Sequence, residues 1–170
     1  LTSALPAVRA AAYLKLSKTG GSQSIVVSGE SGAGKTETNK QLMNFLVYRG
    51  SKNGGTSDLT QKILDANPIL EGFGNAKTTR NKNSSRFGRY VLVRFGDNCE
   101  VVGAQVRVFL LERSRVTSTT KALERAYHVM YELCAGGTPH THGHPPEFFT
   151  YLSLSGQYDC PKRVDADEFK

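Results

Sequence analysis

Gly29-Glu30-Ser31-Gly32-Ala33-Gly34-Lys35-Thr36 satisfies G-x-x-x-x-G-K-[ST] at every constrained position. In a chain with 17 glycines the spacing alone is weak, so its flanks decide the reading. Upstream, Ser24-Ile25-Val26-Val27-Ser28 is a short β-branched apolar run that predicts a buried strand. Downstream, Glu37 to Arg49 holds no Gly or Pro and carries Leu42, Phe45 and Leu46 at helical spacing. Strand, glycine loop and helix in that order are what a phosphate-binding loop requires.

Residue type then supplies the chemistry. Glycines 29, 32 and 34 let the backbone adopt positive φ and bring its N–H groups close to phosphate oxygens. The helix that follows presents its positive end to the same anion. Lys35 suits the β- and γ-phosphates, and the Thr36 hydroxyl suits a hard Mg²⁺ ion bridging them.

The 170 residues suffice for one sizeable core, and 38% hydrophobic with 22% charged residues is ordinary for a globular protein. No apolar run approaches the roughly 20 residues of a membrane helix, and the sequence predicts a cytosolic protein. Cys99, Cys134 and Cys160 are widely spaced and read as reduced thiols rather than as a disulfide frame or zinc site. The net charge of +7 is concentrated in Lys77, Arg80, Lys82, Arg86, Arg89 and Arg94, a stretch without acids that is expected to face an anion.

Leu5, Val8, Ala12 and Leu16 predict a helix over 4–17, ended by Lys18-Thr19-Gly20-Gly21. Gly50 to Ser57 reads as a flexible polar loop. Leu59 to Ala66 predicts a short helix stopped by Asn67-Pro68, with a second helix possible over 69–77. Tyr90 to Phe95 and Glu100 to Leu111 are strand candidates around a Gly96-Asp97-Asn98 turn. Leu123, Ala126, Tyr127, Met130, Leu133 and Cys134 mark one helix face that Gly136-Gly137 ends. His140, His142 and His144 lie among Gly and Pro and read as solvated loop residues rather than metal ligands. Asp165 to Lys170 begins like a helix.

Asn81-Lys82-Asn83-Ser84-Ser85-Arg86-Phe87-Gly88 packs hydroxyls, amides and a cation into one irregular segment. A nucleoside-triphosphate enzyme needs such groups beyond its phosphate loop, because Mg²⁺ takes a further oxygen ligand and the γ-phosphate takes further donors. Together with the phosphate loop, Asn67-Pro68-Ile69-Leu70-Glu71-Gly72-Phe73-Gly74-Asn75-Ala76-Lys77-Thr78, Leu110-Leu111-Glu112-Arg113-Ser114-Arg115-Val116 and Glu124-Arg125-Ala126-Tyr127-His128, this segment resembles, in order and spacing, the myosin motor domain.

The resemblance implies an α/β P-loop NTPase with a central twisted, mostly parallel or mixed sheet flanked by helices. Residues 1–170 are expected to form part of one such motor domain, truncated at both ends. It implies ATP and Mg²⁺ as ligands, with Gly29, Glu30, Ser31, Gly32, Ala33, Gly34, Lys35 and Thr36 binding the nucleotide. The 81–88 segment takes the place of the family's switch I: Asn81 touches the phosphates, Ser84 helps hold the attacking water, and Ser85 joins Thr36 on Mg²⁺. Arg86 is expected to pair with a switch II glutamate, but no D-x-x-G-F-E follows residue 116. The isolated chain is therefore expected to lack part of the hydrolytic apparatus. Actin as partner, a cytoplasmic place in the actin cytoskeleton as part of a myosin complex, and light chains or calmodulin outside this span are implied by family alone.

A kinesin-like motor shares the same logic but usually reads Ser-Ser-Arg-Ser-His in switch I, where this chain has Phe87-Gly88 after Arg86. A GTPase would need N-K-x-D, and both Asn39-Lys40 and Asn81-Lys82 lack the aspartate. RNA binding through Phe87, Tyr90 and Phe95 leaves the phosphate loop unexplained, so no nucleic acid is expected. A nucleotide-binding scaffold without hydrolysis remains an alternative for the chain alone.

Overall fold

The computed structural model describes residues 4–30, 32–50, 58–117, 123–161 and 163–168. The chain divides into two compact units, Leu1–Ala66 with Tyr90–Arg107, and Asn67–Arg89 with Val108–Lys170.

In the first unit, helix α1 (Leu5–Thr19) has a proline in its first turn, where a missing N–H costs nothing. It runs slightly beyond the predicted end and stops at Gly20, whose φ of 65° caps the helix through an N–H bond to the Leu16 carbonyl. On helix α2 (Lys35–Arg49) Leu42 of the predicted apolar set is buried and Phe45 and Leu46 are half-buried, while Met43 and Val47, outside that set, are buried as well. Met43 and Val47 pack against Val91, Val93, Val101 and Ala104 of a hairpin. Its strands are β3 (Gly88–Phe95) and β4 (Val101–Phe109), numbered after two short strands of the second unit, and the turn falls where the sequence placed it. Gly96 N–H donates to the Glu100 carbonyl at 2.9 Å. Tyr13 of α1 meets Phe45 and Phe95 edge to face, with ring centroids 6.3 and 6.0 Å apart.

Two expectations fail here. Residues 24–28 form no strand; they take no regular structure, and Val26 is 87% exposed. β-Branched residues suit a pleated surface, but a strand exists only where a neighbouring strand takes up its N–H and C=O groups, and no described segment pairs with this one. For the same reason the central, mostly parallel sheet is not present among the described residues. They form two two-stranded sheets, β1 (Asn75–Ala76) with β2 (Ser84–Ser85), and β3 with β4. Of the predicted 50–57 loop, residues 51–57 lie outside the described residues.

Helix α3 (Asp58–Gly74) corrects another reading, for it continues through Pro68 instead of stopping before it. Asn67 is a residue whose side chain often ends helices by bonding nearby backbone. Here its Oδ1 accepts instead from Arg89 Nη1 at 2.7 Å, so the local competitor is removed and only the proline's own missing bond remains to be tolerated.

In the second unit, β1 (Asn75–Ala76) pairs antiparallel with β2 (Ser84–Ser85), placing Asn75 opposite Ser85 and Ala76 opposite Ser84. Ala76 also bridges to Tyr127. That bridge explains why the helix predicted from Leu123 begins only at α5 (His128–Ala135): Tyr127 is extended, with ψ of 143°, because its backbone is held by the sheet. Ala126, Tyr131, Cys134 and Leu152 form the buried core, flanked by Met130, Phe149, Tyr151 and Tyr158. Short helices α4 (Ser114–Thr117), α6 (Thr150–Ser153) and α7 (Asp165–Glu168) complete the unit. No described helix is long and apolar enough to cross a membrane.

Candidate functional site

The glycine loop keeps the helix its sequence predicts but not the strand before it. Gly32 and Gly34 take φ of 83° and 84°, a region that an L side chain enters only at a cost, and Gly34 is the N-cap of α2. No side chain caps that helix, so the first turn keeps backbone N–H donors for an outside acceptor. Lys35 folds back over the loop, its Nζ donating to the carbonyls of Gly29 and Glu30 at 2.6 and 2.7 Å. The ammonium thus sits against the loop that it would serve. Thr36 is exposed in the first turn of a 15-residue helix, and Glu37 follows it. Ser31 lies outside the described residues.

The 81–88 segment belongs to the second unit, and its geometry is its own. Thr78 N–H donates to the Asn81 carbonyl at 2.8 Å, closing a tight turn, and Asn81 N–H returns to Thr78 Oγ1 at 3.0 Å. Asn81 Oδ1 accepts the backbone N–H of Asn83 at 3.0 Å. Ser84 is buried in β2 and its Oγ accepts from Arg86 Nη1 at 3.2 Å. Ser85 is exposed, and its Oγ donates to the Phe87 carbonyl at 3.3 Å. Phe87 in turn closes over Gly74, where a Cβ would lie 2.1 Å from the ring.

Arg86 has a partner that the sequence did not reveal. Its Nε bonds to Glu112 Oε2, and the same oxygen accepts from Arg115 Nε at 2.7 Å. Arg115 Nη2 continues to Glu124 Oε2 at 2.7 Å. Burial by itself would raise the Glu112 carboxyl; the bonds from Arg86 and Arg115 reverse this and hold it below the usual carboxylate range. Arg115 is pushed down by burial but up by more through Glu124 and Glu112, so it stays charged. The Tyr127 hydroxyl donates to the Glu112 carbonyl at 2.8 Å. A chain of alternating charges therefore ties the 81–88 loop to β4's end and to the 124–127 segment.

The basic stretch is correspondingly less free than its sequence implied. Arg86 is committed to Glu112, and Arg89 donates to Asn67 with its pKa lowered by burial. Arg80 and Lys82 remain exposed.

Sequence reasoning also missed a buried polar floor beneath the loop. Arg125, His128 and Asn75 are 0–1% exposed. Arg125 bonds Asp165 at 2.8 Å and lies 3.7 Å over the Tyr131 ring. His128 is held neutral, its pKa lowered to about 3 by burial first and then by the charges of Arg163 and Arg125. Arg125 and His128 fall within the helix read from Leu123 and Asn75 within the 69–77 helix candidate, each off the apolar face, where a polar residue reads as solvent-facing. Among the described residues no group of three or more His, Cys, Asp or Glu is placed to hold a metal, and His144 is stacked on Phe148 at 3.7 Å.

The family model described as myosin head (motor domain) matches residues 4–170. Myosin-7 of Arabidopsis thaliana is 46% identical over 168 residues, covering 96% of this chain and 10% of that protein. Myosin heavy chain 95F of Drosophila melanogaster is 50% identical over 141 residues, 81% of this chain and 11% of its own. Protein OPAQUE1 of Zea mays is 47% identical over 153 residues, 87% of this chain and 10% of its own. The chain spans about a tenth of the length of these relatives.

Proposed function

The chain belongs to the myosin motor family, and from that premise we propose that it is the ATP-binding portion of an actin-based motor of the P-loop NTPase fold. What supports the nucleotide reading is the Lys35-closed glycine loop at the uncapped N-terminus of α2. Gly29, Glu30, Ser31, Gly32, Ala33 and Gly34 would line the phosphates with backbone N–H groups, and Lys35 would exchange its two carbonyl partners for phosphate oxygens. A carbonyl-bound ammonium needs little reorganisation to do so, since it trades neutral acceptors for charged ones.

Thr36 and Ser85, one in each unit, are exposed hydroxyls of a kind that would suit Mg²⁺, a hard ion that takes few protein ligands and keeps phosphates and waters for the rest. Mg²⁺ would neutralise charge on the β- and γ-phosphates. Asn81 would donate to phosphate and Ser84 would orient the attacking water. Arg86, held by Glu112, would fix the loop that carries both. Catalysis would consist of positioning and charge neutralisation, without a covalent intermediate on the protein. In the whole protein, hydrolysis would drive movement along actin filaments in the cytoskeleton, with light chains or calmodulin as partners beyond this span.

Calorimetric titration of the chain with MgATP tests the nucleotide reading. Binding that requires Mg²⁺ and falls at least about tenfold in Lys35→Ala, the weight of one charge-assisted contact, is the expected result. Equal binding by Lys35→Ala, or none by the folded unsubstituted chain, overturns it.

A further inference from the structure

Asn83 lies on the surface, yet its carboxamide is bound on both sides. Oδ1 accepts from Asn75 Nδ2 at 2.8 Å and contacts His128 Nε2 at 3.2 Å, both partners belonging to residues almost wholly buried. Nδ2 donates to Glu71 Oε2 at 3.1 Å. An amide oxygen only accepts, so the His128 ring must carry its proton on Nε2. Its Nδ1 accordingly stands without a hydrogen-bond partner among the described residues. From the far side of the same loop, Cys160 Sγ donates to the Lys82 carbonyl at 3.3 Å.

The anchoring of Asn83 bears on Asn81, two residues earlier. With the carboxamide of Asn83 anchored, its backbone N–H is delivered to Asn81 Oδ1. That bond uses the acceptor end of Asn81 and orients its amide, so the –NH₂ end is the one left to meet an anion. Without it, an Asn side chain rotates between two nearly equivalent amide orientations, and half of them would turn an oxygen toward phosphate.

We propose that Asn83 is a positioning residue, clamped by Asn75, His128 and Glu71, which fixes the 81–83 backbone so that Asn81 presents its amide –NH₂ to a nucleotide phosphate. The proposal rests on the nucleotide reading above for its ligand, but the clamp has a readout of its own. The Asn83 backbone N–H is on an exposed residue, and its protection from hydrogen exchange comes from the Asn81 bond.

Three substitutions separate the roles. Asn83→Ala removes the anchored carboxamide from a surface position. His128→Leu fills the buried space without a donor. His128→Gln places an amide nitrogen near the position of Nε2 and restores the donor. Exchange of the Asn83 N–H, followed by NMR, is expected to quicken about tenfold for His128→Leu and for the alanine N–H at 83, the weight of one hydrogen bond. In His128→Gln it should return toward the unsubstituted rate. MgATP affinity, measured on the same samples, is expected to fall about tenfold and recover in the same order. Unchanged exchange in both Asn83→Ala and His128→Leu overturns the clamp. Quickened exchange with unchanged MgATP affinity overturns the positioning role. If the unsubstituted chain binds no MgATP, the nucleotide reading fails, and with it the role assigned to Asn81, while exchange still reports whether the clamp exists.

Discussion

His128 makes the stability of the second unit sensitive to acid from a higher pH than carboxylates alone would. Its ring is fully buried, and its pKa falls from 6.5 to about 3 because burial, then Arg163 and Arg125, disfavour the imidazolium. Since the folded value lies below the unfolded one, the unfolded chain takes up the proton first as the pH drops. Stability is therefore full above pH 6.5 and is lost progressively until about pH 3. At about 1.4 kcal/mol per unit, lowering the pH from 7 to 4 removes roughly 3 kcal/mol. That is a large part of the 5–15 kcal/mol typical of a domain, by order of magnitude. The assay is urea unfolding of the unsubstituted chain and of His128→Gln at pH 7 and pH 4. The acidic residues are the same in both proteins and their contribution cancels in the difference, so the loss should be roughly 3 kcal/mol greater with His128 in place. Equal losses, or an imidazole resonance of His128 that titrates near pH 6.5 in the folded chain, would refute the reasoning.

Other expectations follow from the same geometry. Glu112→Gln leaves Arg86 and Arg115 facing a neutral amide, and should destabilise by about 2 kcal/mol, below the cost of breaking a fully buried pair because Glu112 is partly exposed; urea midpoints at pH 7 measure it. The gap between this variant and the unsubstituted chain should close as the pH falls below the ordinary carboxylate range, because a depressed folded pKa gives stability that is lost on protonation. Gly74→Ala drives a methyl into the Phe87 ring and should cost about 2 kcal/mol by overpacking, seen as a lower thermal midpoint. Adding Phe87→Leu should recover part of that loss, and no recovery would mean that the clash is relieved elsewhere.

What the sequence disclosed and what it withheld divide along the range of the interactions. The glycine loop and α2 were legible because both are local: positive φ at Gly32 and Gly34, and a helix face within one run of residues. The hairpin turn at 96–98 was legible for the same reason. The strand at 24–28 was not, because β-branched residues state a preference that only a neighbouring strand can fulfil. Asn67-Pro68 was misread because the side chain that would stop the helix is taken by Arg89, 22 positions away. Likewise Tyr127 looked helical by spacing, while its backbone was claimed by Ala76.

The candidate site shows the same division inside a single segment. Asn81, Ser84, Ser85 and Arg86 could be singled out by their chemistry, since polar donors and hydroxyls beside a cation suit a phosphate and Mg²⁺. Asn83 could not be told from its neighbours, because nothing in its residue type says that its amide is used inward. Its partners Asn75 and His128 lie 8 and 45 positions away, and a buried neutral histidine has no periodic signature. Arg86 met its acid, Glu112, only across 26 positions. Such pairs gain meaning from burial: a donor in water loses little when its acceptor is removed, whereas one enclosed by protein keeps the full cost of desolvation. The residues proposed to meet a ligand are therefore legible in their chemistry, and those whose side chains are spent on the protein are legible only in the fold.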